Sequence, residues 1–307
     1  MNLFSNPRWI DKDLLQLTTL DEIPEIKILE IRDRLKTVSS DKPVVSVIIA
    51  AWNEEVNIVQ CLNSLSRSKT DIPFEIIVVN NNSTDRTQLV LDKLGVKSFF
   101  QPMQGVGPSR QLGQKHAAGK YILSADADCL YPEKWIDQMT KTLMKEGNVF
   151  VYGRFSYISD KNHSRFKLTL YEFFRDIMSE MRHFKRPYLN AYGISLGYIK
   201  EYGDKEGYLD KHMRGFDGRL CFDIMKYGKV AILRSQRAWT GTRAIERDGS
   251  FSTAIMKRIL RELARFDNYF KKPEAHDTKK SQNADYSIKN SLDTIKKKYN
   301  PLRFFKK

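Results

Sequence analysis

The chain has 307 residues, 41% hydrophobic and 11% aromatic, a make-up that gives one large or two ordinary folded domains and excludes intrinsic disorder. Its 3 cysteines, Cys61, Cys129 and Cys221, are far apart and form no Cys-x-x-Cys pair, which excludes a zinc knuckle or disulfide scaffold and predicts reduced thiols in a cytoplasmic chain. A formal net charge of +15 points to an anionic partner: a phosphorylated substrate, a nucleic acid or an acidic membrane surface.

The opening MNLFSNPRWIDKDLL lacks a basic region followed by a long apolar run, so no signal peptide is expected, and no segment is long enough to cross a bilayer. Residues 1–43 carry apolar side chains at helical spacing over 14–20 and 23–35 and are expected to form a helical extension packed on the domain that begins at residue 44. VVSVIIAA (44–51) is an apolar run suited to a strand buried on both faces of a parallel sheet. After it, Asn53 is expected to cap a helix whose first turn holds Glu54 and Glu55, with Val56, Val59, Leu62 and Leu65 on one face. FEIIVVN (74–80) is a second such strand, Ser83 or Thr84 a cap for the next helix, and Gly95 its stop. A third strand over 97–101 leads through Gly105-Val106-Gly107-Pro108 into a helix ending at Gly119. YILSADADCL (121–130), a helix opened by Pro132 and a strand over 149–155 complete the alternation. It implies an α/β layer fold with a mostly parallel sheet.

In such sheets ligands sit beyond the carboxyl ends of the strands. Trp52-Asn53-Glu54, Asn80-Asn81-Asn82 and Asp126-Ala127-Asp128 all fall on that edge. Side chains two apart in an extended chain point the same way, so Asp126 and Asp128 can converge on one hard divalent cation, Mg2+ or Mn2+, that also carries substrate phosphates. A solvated turn is the plainer account of the same Asp-x-Asp. Gly105-x-Gly107 is not a dinucleotide fingerprint, because Arg110 stands where the third glycine belongs.

Taken in order, AAWNEEVNIVQCLNSL, IIVVNNNSTDRT and GVGPSRQLGQKHAAGKYILSADADC resemble the nucleotide-sugar-binding half of family two glycosyltransferases, over roughly residues 44–243. The resemblance implies a GT-A-like, Rossmann-type α/β/α sandwich with N- and C-terminal helical extensions. It divides the chain into a helical extension (1–43), a glycosyltransferase domain (44–249, with 44–130 for the donor and 131–249 for the acceptor) and a basic tail (250–307). It also implies donor-site roles for Ala51, Asn53, Glu54, Asn80, Asn82, Arg110, Asp126, Ala127, Asp128 and Arg243, with the cation on Asp126 and Asp128. A guanidinium such as that of Arg110 suits anionic phosphate oxygens. The family usually has aspartate where this chain has Asn80, a residue that typically contacts the base. An amide both donates and accepts, so a UDP-sugar is the expected donor with GDP- and dTDP-sugars open. Asp85 fits the family pattern too, although a first-turn acid at a helix N-terminus explains it equally.

Downstream, Phe166, Leu170, Phe173, Phe174, Ile177, Met181 and Phe184 recur at helical steps, with Arg165, Lys167, Arg175, Arg182 and Lys185 on the other face. Such a stripe is ordinarily core packing under a solvated face, and a helix of this kind can also lie against a membrane. His163, His183 and His212 have no metal-like spacing. Family members show a Glu-Asp pair before a helix that begins with leucine and ends in glycine. Here Leu220 and Gly228 set that frame, so the resemblance puts the general base on Asp217, with Phe216 replacing the glutamate and Asp210 and Asp223 as fallbacks. Thr240-Gly241-Thr242-Arg243 resembles a loop closing over the substrates. From residue 250 onward 15 basic residues face 6 acidic ones, a composition that suits either a solvated tail or a tether to anionic lipid.

The sequence thus predicts a metal-dependent, inverting transfer of a hexose from a nucleoside diphosphate sugar to a saccharide or lipid-linked acceptor, in cell-surface polysaccharide or glycolipid synthesis. The expected location is cytoplasmic, with peripheral contact at the inner face of the membrane as the alternative that a lipid-tethering tail would add. Nucleic acid is not an expected partner. The alternatives are a sugar-nucleotide pyrophosphorylase, which would need a Gly-rich phosphate loop where Ala50-Ala51-Trp52-Asn53 stands, and a non-enzymatic polyanion-binding protein.

Overall fold

The computed structural model describes residues 5–208, 215–246 and 251–264. Two helices, α1 (Lys12–Gln16) and α2 (Glu25–Val38), precede strand β1 (Val45–Ala51). Next come α3 (Asn57–Leu65), β2 (Phe74–Asn80), α4 (Thr87–Leu94), β3 (Lys97–Phe100), α5 (Val106–His116), β4 (Tyr121–Asp126) and β5 (Cys129–Leu130). The remainder comprises α6 (Trp135–Leu143), β6 (Asn148–Tyr157), α7 (Arg165–Lys185), β7 (Leu196–Ile199), α8 (Lys200–Glu206), α9 (Phe216–Ile224), β8 (Lys229–Thr240), α10 (Arg243–Glu246) and α11 (Phe251–Ala264). Asp210, His212 and the tail from 265 lie outside the described residues.

The strands form one sheet in the order β3-β2-β1-β4-β7-β6-β8-β5. β3, β2, β1 and β4 are mutually parallel; the apolar runs of β1, β2 and β4 are buried, as parallel strands covered on both faces are, while β3, KSFF, is the partly exposed edge. β7 enters antiparallel to both β4 and β6, and β8 returns parallel to β6. Alternate residues of β1 serve different layers. Val45, Val47 and Ile49 join the core under α2, α3, α4 and α6, while Ile48 joins Ile77, Val79 and Ile122 in the core capped by α9. Helices therefore cover both faces of the parallel half. α2 buries Ile28, Ile31 and Leu35 in the first of these layers and fastens it with Arg34, whose guanidinium donates to Asn63 and Ser66 of the segment at α3.

Local departures from the sequence expectations have local causes. Asn53 does not cap a helix: it takes a left-handed conformation, φ 53°, and α3 begins only at Asn57. Nor do Ser83 and Thr84 cap α4, which starts at Thr87. They are used instead to hold Asn53, whose Oδ1 accepts from the Thr84 N–H and whose own N–H donates to Ser83. Gly95 does stop α4, in the left-handed region at φ 61° where a Cβ is strained. The helix expected from Pro132 begins at Trp135, with the Pro132 carbonyl accepting the Trp135 N–H.

The largest departure is α7. Its Phe166, Leu170, Phe173, Ile177 and Phe184 point to solvent, while Arg165, Glu172, Asp176 and Arg182 are buried. Glu172 accepts from Arg165 at 2.8 and 2.7 Å, from the Tyr157 N–H and from the Ser156 hydroxyl. Asp176 pairs with Arg154, Arg175 and Arg237.

Candidate active site

The parallel register brings the predicted edge together: Ala51 of β1 stands beside Asn80 of β2, and Ala50 beside Asp126 of β4. Ala51 and Ala127 are buried in the core, so only their backbones can face a ligand. Trp52 is half exposed at the end of β1. The loops beyond β1 and β2 are laced together. Glu54 N–H donates to Thr87, Glu55 N–H to Asp85, and Arg86 N–H to Glu55. Asp85 also accepts from the Thr87 N–H at 2.9 Å, so its place just before α4 gives it a full structural role. Asn80 is buried with both ends of its amide engaged, donating to Gln88 and accepting from the Ser83 N–H. Asn82, like Asn53, has a left-handed backbone, φ 56°.

β4 ends at Asp126, and Asp128 comes after it in a turn rather than on the extended strand. Ligand atoms of Asp126, Asp128 and Cys129 still lie within 4.8 Å of one another. Burial pushes the Cys129 thiol well up, so it stays protonated and donates to Asp128 instead of serving as a soft ligand. That leaves two partly exposed carboxylates, a donor set that fits a hard cation sharing its coordination with phosphate oxygens.

Two arginines organise these acids. Arg110, wholly buried on α5, forks onto Asp126 at 2.6 Å and onto Asp217 of α9. The second Asp217 oxygen accepts the Gly193 N–H at 2.9 Å. Phe216, beside Asp217 on α9, puts its ring centroid 5.3 Å from the Arg110 guanidinium, so an aromatic face meets that cation. Arg243 bridges Asp128 at 2.9 Å and Glu54 at 3.0 Å, joining the loop after β8 to the ends of β1 and β4. Burial, with crowding by Asp128 and Asp217, pushes Asp126 up to about 6 against the pull of Arg110. Burial likewise raises Asp217, which Arg110 and Gly193 offset in part, and raises Glu54, which Arg243 offsets in part.

The family model for glycosyl transferase family 2 matches residues 46–201, just over half of the chain. The chain belongs to this family. The Bacillus subtilis (strain 168) protein EpsH is 31% identical over 116 residues, 36% of this chain, and the match spans about a third of its own length at 33%. Among solved structures, the mannosyltransferase PcManGT from Pyrobaculum calidifontis, in complex with GDP-Man and Mn2+, superposes with a TM-score of 0.56 at 16% identity, covering 92% of this chain and 84% of its own. Glucosyl-3-phosphoglycerate synthase from Mycobacterium tuberculosis, with Mn2+, UDP and phosphoglyceric acid, gives 0.50 at 16% identity, covering 81% and 84%. At that identity the likeness establishes the shared GT-A fold alone.

Within this family 2 chain the structure adds residues that sequence patterns did not single out. Tyr131, directly after the acidic motif, accepts the Asp126 N–H at 2.8 Å and donates to the Ile194 carbonyl, pinning the end of β4. Gly193 is forced by proximity: a Cβ there would stand 1.8 Å from Arg110. An aromatic abutting the motif was a usable signal for the tyrosine, whereas nothing in NAYGISLGY marks the glycine. Asp223 pairs with Arg219 along α9 and does not join the cluster.

Proposed function

We propose that the chain transfers a sugar from a nucleoside diphosphate sugar to an acceptor hydroxyl by a single inverting displacement, with residues 44–130 holding the donor and 131–249 shaping the acceptor side. The observation that carries this reading is Arg110, which ties the metal-type carboxylate Asp126 to Asp217 across the two halves. A mannosyltransferase of the same fold seen with GDP-Man and Mn2+, and a glucosyl-3-phosphoglycerate synthase seen with Mn2+ and UDP, support the donor class. Asp126 and Asp128 would hold Mn2+ or Mg2+, which when bound supplies charge neutralisation to the departing diphosphate. Arg243, already against Asp128 and Glu54, is suited to diphosphate oxygens. Half-exposed Trp52 offers a flat face to a base, and Asn80 holds the neighbouring loop from beneath.

In the displacement the acceptor oxygen bonds to the anomeric carbon as the carbon–oxygen bond to the diphosphate breaks, its electron pair leaving on the phosphate oxygen. The acceptor proton passes to Asp217. A carboxylate has about four acceptor positions, and Arg110 and Gly193 take two, which leaves room for an acceptor hydroxyl. Asp217→Asn should cut transfer by about 10²-fold or more, the lower end of what a general base contributes, with nucleotide affinity nearly unchanged. Near wild-type turnover in a folded Asp217→Asn protein would remove this residue as the base.

A further inference from the structure

We propose that the acceptor carries a phosphate ester, received by an arginine cluster on α7, β6 and β8 that is reached from Asp217 through Tyr192 and Phe155. The proposal rests on the transferase reading, since it takes Asp217 as the place of the acceptor hydroxyl. Asp217 accepts the Gly193 N–H, and the preceding residue, Tyr192, is 43% exposed with its ring edge-on to Phe155 at 5.9 Å. Against Phe155 in turn lies the Arg175 guanidinium, 3.9 Å from the ring centroid. Arg237 donates to the same Phe155 carbonyl as Arg175 and stands opposite Arg154 in the register of β6 and β8. These three side chains are partly exposed, and Arg234 is the most exposed member of the cluster.

The cluster is short of acceptors. Asp176 takes Arg154, Arg175 and Arg237, and Glu180 takes Arg154 and Arg234, so four guanidiniums share two carboxylates and leave a formal excess of +2. Glu172 does not redress it, because both of its oxygens are bonded to Arg165. Four guanidiniums carry about twenty N–H donors, against about eight acceptor positions on two carboxylates. Two of those donors, Arg154 Nε and Arg175 Nη1, are buried without an acceptor among the described residues. Unmet buried donors cost stability, so the fold alone does not account for the excess. A phosphate monoester carries a charge of about −1.5 to −2 at pH 7, which matches it, and phosphate oxygens accept the paired N–H bonds of a guanidinium fork. A single carboxylate would leave positive charge uncompensated.

The test is titration calorimetry of the full chain with sn-glycerol 3-phosphate, with UDP and Mn2+ present to fill the donor side and glycerol as the neutral control. Wild type should bind the ester and not glycerol. Arg175→Gln should weaken that binding about tenfold or more, as loss of a charge-assisted fork does. Arg234→Gln, at an exposed position that keeps the fold, should weaken it about threefold. Lys145→Gln, which removes an exposed charge outside the cluster, should bind like wild type. A second arm replaces the soluble ester with phosphatidylcholine vesicles, with and without phosphatidic acid. Binding to the phosphatidic acid vesicles alone, weakened by the same variants, would place the phosphate on a lipid. The proposal is overturned if wild type binds neither phosphate source, or if Arg175→Gln and Arg234→Gln bind both as wild type does. No arm needs sugar transfer: ester binding without any UDP binding would sink the transferase reading alone, and UDP binding without ester binding would sink this one alone.

Discussion

α3 and α7 are both amphipathic helices lying against the same sheet, and they are turned opposite ways. α3 sends Ile58, Val59, Leu62 and Leu65 inward, all fully buried. α7 sends Arg165, Glu172, Asp176 and Arg182 inward and Phe166, Phe173 and Phe184 out. The difference lies in what each helix meets. α3 lies over the Val/Ile runs of the parallel strands, where only apolar side chains fit without an unpaired polar group. α7 lies over β6 and β8, which present Arg154 and Arg237 together with the Tyr157 N–H and Ser156 hydroxyl, and these demand carboxylates. Hydrophobic period identifies a two-faced helix, while its neighbours decide which face is inside.

Removing a carboxylate should hurt α7 most. Glu172→Ala strands the buried Arg165 guanidinium and two further donors, and breaking a buried pair from one side costs about 3–5 kcal/mol, readable as a lower urea midpoint. In α3 the damaging change is apolar: Leu62→Ala should cost about 2–5 kcal/mol through lost burial and a cavity. The smallest effect is expected where helix periodicity alone would forecast a large one, since Phe173→Ser alters a solvent-facing side chain and should stay within about 0.5 kcal/mol. A Phe173→Ser loss as large as that of Leu62→Ala would mean the stripe is packed and the comparison inverted.

The same contrast explains what could be read from the sequence. β1, β2 and β4 are legible because a strand buried on both faces must be a near-continuous apolar run, and each ends at the residues now found on one edge: Ala51, Asn80 and Asp126. The alternation of strand and helix sets their parallel order, so this edge of the site comes from local pattern. β7, with the four residues LGYI, and β8, interrupted by Arg234 and Arg237, carry no such run, and their positions depend on pairing across the sheet. The bond from Arg110 to Asp217 spans 107 residues, and the need for glycine at 193 exists only because that arginine passes beside it. Asn53 suits a cap by residue type, yet its left-handed backbone is held by Ser83 and Thr84 from another loop.

The central claim is that Asp126 and Asp128, braced by Arg110 and Arg243, make a cation-dependent diphosphate site at the ends of β1 and β4. Titration calorimetry of UDP and GDP, with and without Mn2+, on wild type and Asp128→Asn tests it most directly. Mn2+ should tighten binding of at least one nucleotide to wild type by about tenfold or more, equivalent to about 1.4 kcal/mol, and the variant should keep its fold but lose that gain. Affinities that do not change with Mn2+ in either protein would contradict the account.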